Sequence, residues 1–185
     1  MQDFHYNYIK QKYGNNAKLL FTDTDSLCYE IQTDNIYDDI SADSHLFDLS
    51  NYSTDHPAYN ATNKKIPGCF KDETGGKPIK EFVGLRSKMY SFTYGEEQKQ
   101  VAKGIARATI KNDLRHDMYK ECLFNKTIRM CQMYSIRSDK HQMHVQAINK
   151  IGLTAFDDKR YVLDNGFDTL AFGHYMTEYL DTETD

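Results

Sequence analysis

The spacing of apolar residues changes several times along the 185-residue chain, and each change marks an element. Over residues 3–13, Phe4, Tyr8 and Ile9 recur at helical spacing and the run stops at Gly14-Asn15-Asn16, which predicts a helix with a glycine stop. Two short apolar runs follow, residues 18–21 and 27–31. They are separated by Thr22-Asp23-Thr24-Asp25, and runs this short around a polar centre predict a β-hairpin. Residues 35–47 read as a helix, and residues 51–68, rich in Asn, Thr, Ser, Asp and Pro, as a loop. The aromatic and branched residues of 82–94 predict one or two strands. Ile110, Leu114, Met118, Cys122 and Leu123 form a core-facing stripe on a helix over 108–124. Residues 131–147 and 151–163 read as strands, with a turn at Asp164-Asn165-Gly166. The mixture predicts an α+β fold that divides near Tyr94 into a carboxylate-bearing part, 1–94, and a second part, 95–185.

Composition adds little until the charge is mapped. Hydrophobic residues make up 39% and charged residues 27%, the balance of a globular chain. No run approaches the ~18 apolar residues of a membrane helix, and the first residues lack the apolar stretch of a secretory signal, so an intracellular protein with no membrane partner is expected. Cys28, Cys69, Cys122 and Cys131 stand too far apart for a zinc knuckle or a dense disulfide framework and read as reduced thiols. The net charge of −4 conceals a segregation: residues 1–60 hold 3 basic against 10 acidic side chains, whereas residues 86–160 hold 15 against 8. Residues 161–185 carry 6 acids and no Lys or Arg. A basic block beside an acidic one suits a polyanion-handling protein in which acids hold metal and bases hold phosphate, although an unevenly charged solvated surface has the same composition.

The candidate chemistry lies in Phe21-Thr22-Asp23-Thr24-Asp25-Ser26. Two aspartates two apart at a hairpin bring two carboxylates within reach of one hard cation, and a divalent ion offsets their mutual repulsion. Taken alone, the same residues also suit an Asx-type hairpin turn. His56, His116, His141 and His144 form no ligand set, since His141 and His144 in one strand would face opposite ways. A metal-dependent glycosyltransferase also uses Asp-x-Asp, but after a βαβ unit of ~30 or more residues, and only 22 residues precede Asp23.

The wider string resembles the motif C hairpin of family B DNA polymerases, usually Tyr-Gly-Asp-Thr-Asp-Ser, with Phe21 and Thr22 in place of the Tyr and Gly. Downstream, Lys88-Met89-Tyr90 resembles that family's Lys-x-Tyr motif, and Lys103-Gly104 the Lys-Gly element at the start of its thumb. Their order fits the protein-primed branch, which includes viral enzymes and Maverick/Polinton-type elements. The final stretch, GLTAFDDKRYVL, is similar to the terminal strand segment of protein-primed phage polymerases.

This resemblance implies a partial palm, with the motif C hairpin and flanking helices, followed by a small thumb-like subdomain with strands. It implies transfer of a deoxynucleotide to a primer 3′ end by a two-metal mechanism with Mg²⁺. Asp25 would bridge the two ions, with Asp23 assisting. Lys88 and Tyr90 would contact the primer–template duplex, with Arg86, Lys103, Arg107 and Lys111 as secondary phosphate contacts. Partners would be primer–template DNA, deoxynucleoside triphosphates and a terminal-protein primer, in the nucleus if the element is eukaryotic. The strings usual for motifs A and B are not present, so the chain is expected to be the C-terminal part of a polymerase and inactive alone. A non-catalytic DNA-binding remnant is the alternative.

Overall fold

The computed structural model describes residues 1–156, 160–164, 168–171 and 173–176. The chain is a mixed α+β fold, as its periodicities imply. A π-helical stretch, Phe4–Ile9, runs into α1, Lys10–Tyr13, and closes through a 3-10 turn, Gly14–Asn16. Gly14 adopts φ 55 where the chain leaves the helix, a backbone that glycine reaches without a Cβ clash. β1, Ala17–Asp23, and β2, Ser26–Ile31, then form the expected antiparallel hairpin.

α2, Ile36–Ala42, is shorter than the helix read over 35–47. Its start is capped by the Asn35 side chain, which accepts from the Tyr37 N–H at 3.1 Å. Its aspartates anchor it to the first helix. Lys12 binds Asp39 and Asp43 at 3.4 and 2.5 Å, and the hydroxyls of Tyr13 and Tyr8 donate to the same two carboxylates. After Asp43 the chain tightens into a 3-10 turn, Ser44–Leu46, and Phe47 enters β3, Phe47–Asp48, parallel to β4, Phe70–Lys71. Residues 51–68 form successive turns, as their composition suggests.

β5, Ile79–Arg86, β6, Met89–Tyr94, and β7, Glu97–Ala102, form one antiparallel sheet in that order. The division read near Tyr94 coincides with the β6–β7 turn, so residues on both sides of it share this sheet. β7 was not expected. It is an edge strand of mostly polar residues and lacks the apolar alternation that marks a half-buried strand.

The single helix read over 108–124 is two, α3, Arg107–Asp113, and α4, His116–Asn125, separated by extended backbone at Leu114 and Arg115. The break serves burial: Leu114 is fully buried, and Arg115 Nη1 donates to the carbonyls of Lys111 and Leu114, occupying acceptors at the end of α3. It also drives His116 into the interior, where its backbone N–H donates to Gln98 Oε1. His116 Nδ1 lies 2.9 Å from Ser91 Oγ, Nε2 lies 3.2 Å from Glu81 Oε2, and Glu81 in turn binds Lys120 at 2.7 Å. This network joins β5, β6 and β7 to the start of α4.

β8, Ile128–Asp139, and β9, Gln142–Thr154, make one long antiparallel ribbon, replacing the two strands read over 131–147 and 151–163. Their turn is Lys140-His141, both at positive φ (46 and 64) and without the Gly or Asn that announces such a turn in sequence. His141 therefore sits in a turn and only His144 in a strand. A last small pair follows, β10, Arg160–Val162, with β11, Thr169–Ala171. Asn165 and Gly166 of the expected turn, and residues 157–159 of the GLTAFDDKRYVL segment, lie outside the described residues. The main core gathers Val83, Met89, Leu114, Tyr119, Cys122, Cys131 and Leu153, with Ile110, Met118 and Leu123 packed on it, so the apolar stripe does face the core. Among the described residues no helix is long and apolar enough to cross a membrane.

The ribbon's base depends on a close approach, since a Cβ on Gly152 would overlap Cys131 Sγ. Gly152→Ala is expected to lower stability by ~1–3 kcal/mol through overpacking. Adding Cys131→Ala should recover part of that loss, and urea unfolding of the three variants measures both steps.

Candidate active site at the hairpin turn

The β1–β2 register aligns Phe21 with Cys28, Thr22 with Leu27 and Asp23 with Ser26, leaving Thr24 and Asp25 as the turn. Thr24 takes φ 55, the Asp25 N–H donates to the Asp23 carbonyl at 2.7 Å, and Ser26 Oγ donates to the same carbonyl at 3.1 Å. Thr24 and Ser26 thus shape the turn. The two carboxylates acquire different surroundings: Asp23, at the end of β1, is held by Lys88 Nζ at 2.6 Å, while Asp25 is exposed. Asp25 lines a groove of about 1370 Å³ that runs along β2 and is bordered by Phe21, Phe70, Asp72, Glu73 and Phe92.

Lys88 reaches Asp23 because it occupies the tight β5–β6 turn at φ 57. Two residues on, Tyr90 is buried and its ring stacks on Phe21 at 4.1 Å, and Phe82 also stacks on Phe21 at 5.7 Å. The Lys-x-Tyr segment is therefore docked on the hairpin by one ion pair and one aromatic stack. Burial pushes the Tyr90 phenol up to about 12, helped by the Asp23 and Glu73 charges, so it stays protonated.

The Lys103-Gly104 element arrives at the same end of the sheet. Met89 pairs with Ala102, and the Lys103 N–H donates to the Lys88 carbonyl at 3.0 Å, which ties one turn to the other. Gly104, at φ 83, leaves room for Lys150, whose Nζ donates to the Gly104 carbonyl at 3.3 Å. Lys150 escaped the sequence reading because it comes from β9, and only the ribbon's pairing brings it here. Arg86 ends β5, half-buried beside this group, whereas Arg107 and Lys111 are exposed on α3.

Two hard carboxylates with retained water and substrate oxygens suit Mg²⁺ in ligand type. One of them already spends an oxygen on Lys88, and among the described residues no cluster of three His, Cys, Asp or Glu is poised for a metal. The pair therefore fits Mg²⁺ as part of a cage. Neither Asp72 nor Glu73 completes it: Asp72 accepts from Thr74 and Gly76, and Glu73 binds Lys99. The Ser91–His116–Glu81 row has the order of a nucleophile, base and orienting acid, but Ser91 is 0% exposed, so no substrate reaches its hydroxyl.

The Lys88 hydrogen bond is the main reason that the Asp23 carboxyl lies below its usual range, with the Lys88 charge and the Thr24 hydroxyl adding to it. A lowered folded value means that the attachment is complete above the ordinary aspartate range of ~3.9 and fades as pH falls through the folded value. In Lys88→Met the Asp23 carboxyl should titrate at higher pH than in the wild type, and ¹³C NMR of the carboxyl carbon reads the displacement.

The chain matches no protein-family model, no curated protein and no solved structure.

Proposed function

We propose that the chain is the C-terminal palm and thumb part of a family B DNA polymerase of the protein-primed branch, residues 1–94 contributing to the palm and 95–185 to the thumb. The supporting observation is convergence. Asp23 and Asp25, Lys88-x-Tyr90 and Lys103-Gly104 are spread over some 80 residues, yet an ion pair and a ring stack dock the hairpin that carries the aspartates against the end of the β5–β6–β7 sheet, where a backbone hydrogen bond ties the Lys103 turn to Lys88.

In this reading a primer 3′ hydroxyl attacks the α-phosphate of a deoxynucleoside triphosphate in line and pyrophosphate leaves. Asp25, exposed and facing the groove, is the principal carboxylate, and Asp23 assists. Together with further ligands, Asp25 and Asp23 would hold Mg²⁺, which would supply charge neutralisation for the entering and leaving oxygens. Lys88 exchanges Asp23 for a backbone phosphate as the duplex arrives, which frees an Asp23 oxygen. Lys103, with Lys150 and Arg86 near it, extends the phosphate track. Tyr90, expected as a primer contact, is buried, and its part is to hold Phe21 and with it the hairpin. The further aspartate and the nucleotide-binding lysine belong to motifs A and B, whose strings this sequence lacks.

The Lys88–Asp23 pair also favours a second reading, binding of DNA without catalysis, because it neutralises one carboxylate without metal. The isolated chain is expected to incorporate no nucleotide on a primed template with Mg²⁺. Templated extension abolished by Asp25→Asn would overturn that expectation and make the chain catalytic by itself.

Binding separates a duplex track from an ordinary charged surface. Primed duplex should bind weakly and without sequence preference, with affinity falling steeply with salt. Lys88→Ala should lower the salt slope by about one unit, while Asp23→Asn, which frees Lys88, should tighten binding. Fluorescence anisotropy at several salt concentrations reads both, and unchanged affinity and slope in Lys88→Ala would remove Lys88 from the interface.

A further inference from the structure

The β8–β9 ribbon turns its apolar face to solvent. Cross-strand partners share a face, so the register sets Met130 beside Ile151, Gln132 beside Asn149, Tyr134 beside Ala147, Ile136 beside Val145 and Ser138 beside Met143 on one side. A strand with one buried face normally turns its apolar residues toward the core. Here the side facing the body carries Cys131, which joins the core, and Met133, whose sulfur accepts from the Ala106 N–H. On the opposite side Met130, Tyr134, Ile136, Met143 and Val145 are 57 to 72% exposed and Ile151 is 40% exposed. Only the uncharged Gln132–Asn149 pair interrupts these side chains, and an exposed apolar surface of this extent marks a contact site.

We propose that this face is the contact between two copies of the chain, stacked ribbon on ribbon across a two-fold axis. Charge selects the partner. Arg129, Arg137, Asp139, His144 and Lys150 all lie on the other side, and no Asp, Glu, Lys or Arg stands on the apolar one. A phosphate backbone or a charged peptide finds no opposite charge there, whereas an identical face meets no like charge. Shape agrees: the large Tyr134 stands beside the small Ala147, so the ring of one copy fills the hollow over Ala147 of the other, and the two-fold repeats the contact.

Area is sufficient. The six exposed side chains amount to on the order of 700 Å² per copy, against about 800 Å² per partner in an interface of standard size. Strand-edge pairing would leave these side chains in water, so face-to-face packing of the kind found between stacked sheets is the arrangement that covers them. The contact does not depend on the polymerase reading, since the side bearing the charges stays uncovered.

Sedimentation equilibrium from about 1 to 100 µM is expected to show a monomer–dimer equilibrium with a micromolar constant. Ile136→Lys combined with Val145→Lys, both at solvent-exposed positions, should raise the dissociation constant more than tenfold. Met143→Lys near the tip should act the same way, and Arg137→Ser on the opposite side should leave the constant unchanged. Circular dichroism should show the wild-type fold in all of these variants. A wild type that stays monomeric throughout, a dimer that survives the lysines, or open-ended assemblies beyond the dimer would each overturn the proposal.

Discussion

The stack of Phe21 on Tyr90, backed by the Lys88–Asp23 ion pair, is the junction on which the candidate site depends. A two-stranded hairpin is at best marginally stable alone in water, so β1 and β2 take their position from what they lean on. Phe21 meets Tyr90 and Phe82, both on the neighbouring sheet, and Asp23 at the strand's end is fixed by a lysine from that sheet's first turn. Without this junction the Asp-Thr-Asp turn would hang from β2 alone, and nothing would define where Asp25 points. The ion pair is partly exposed, so its worth lies more in direction than in energy. The ring stack, buried behind it, carries the larger apolar contribution.

A second junction holds the sheet itself. His116 is buried with both ring nitrogens engaged, one toward Ser91 and one toward Glu81, while its backbone N–H is taken by Gln98. Three strands and a helix start are thereby joined through one residue. Buried polar groups are costly unless paired, so the break between α3 and α4, which delivers His116 to this place, is stabilised by the network that it makes possible.

Much of the fold was legible where local chemistry sufficed. The first hairpin, the glycine stop at Gly14 and the core stripe of Ile110, Leu114, Met118, Cys122 and Leu123 follow from spacing alone. The remainder depended on distant partners. A helical pattern over 108–124 does not disclose that Leu114 and Arg115 are extended, because the reason is the burial of His116 against strands some 25 residues earlier. β7 gave no alternation because it is an edge, and Lys140-His141 turns without a glycine. At the site, the Asp-Thr-Asp string and the two downstream motifs were visible as strings. Their meeting, the occupation of Asp23 by Lys88, the burial of Tyr90 and the approach of Lys150 were not, since each is set by contacts between elements some 15 to 70 residues apart.

The ribbon's proportions have a mechanical side. Twelve residues at ~3.3 Å each give β8 a length of about 40 Å, and its core contact is near the base, at Cys131, beneath Gly152. It is a cantilever: a load on the Lys140-His141 tip becomes a torque about that glycine. Lys150 sits two residues from the fulcrum and bonds the carbonyl of Gly104, so deflection of the arm pulls on the turn that carries Lys103. The foot of the ribbon and the turn that carries Lys103 therefore form one mechanical joint, fastened by Lys150 on the Gly104 carbonyl and by Met133 on the Ala106 N–H.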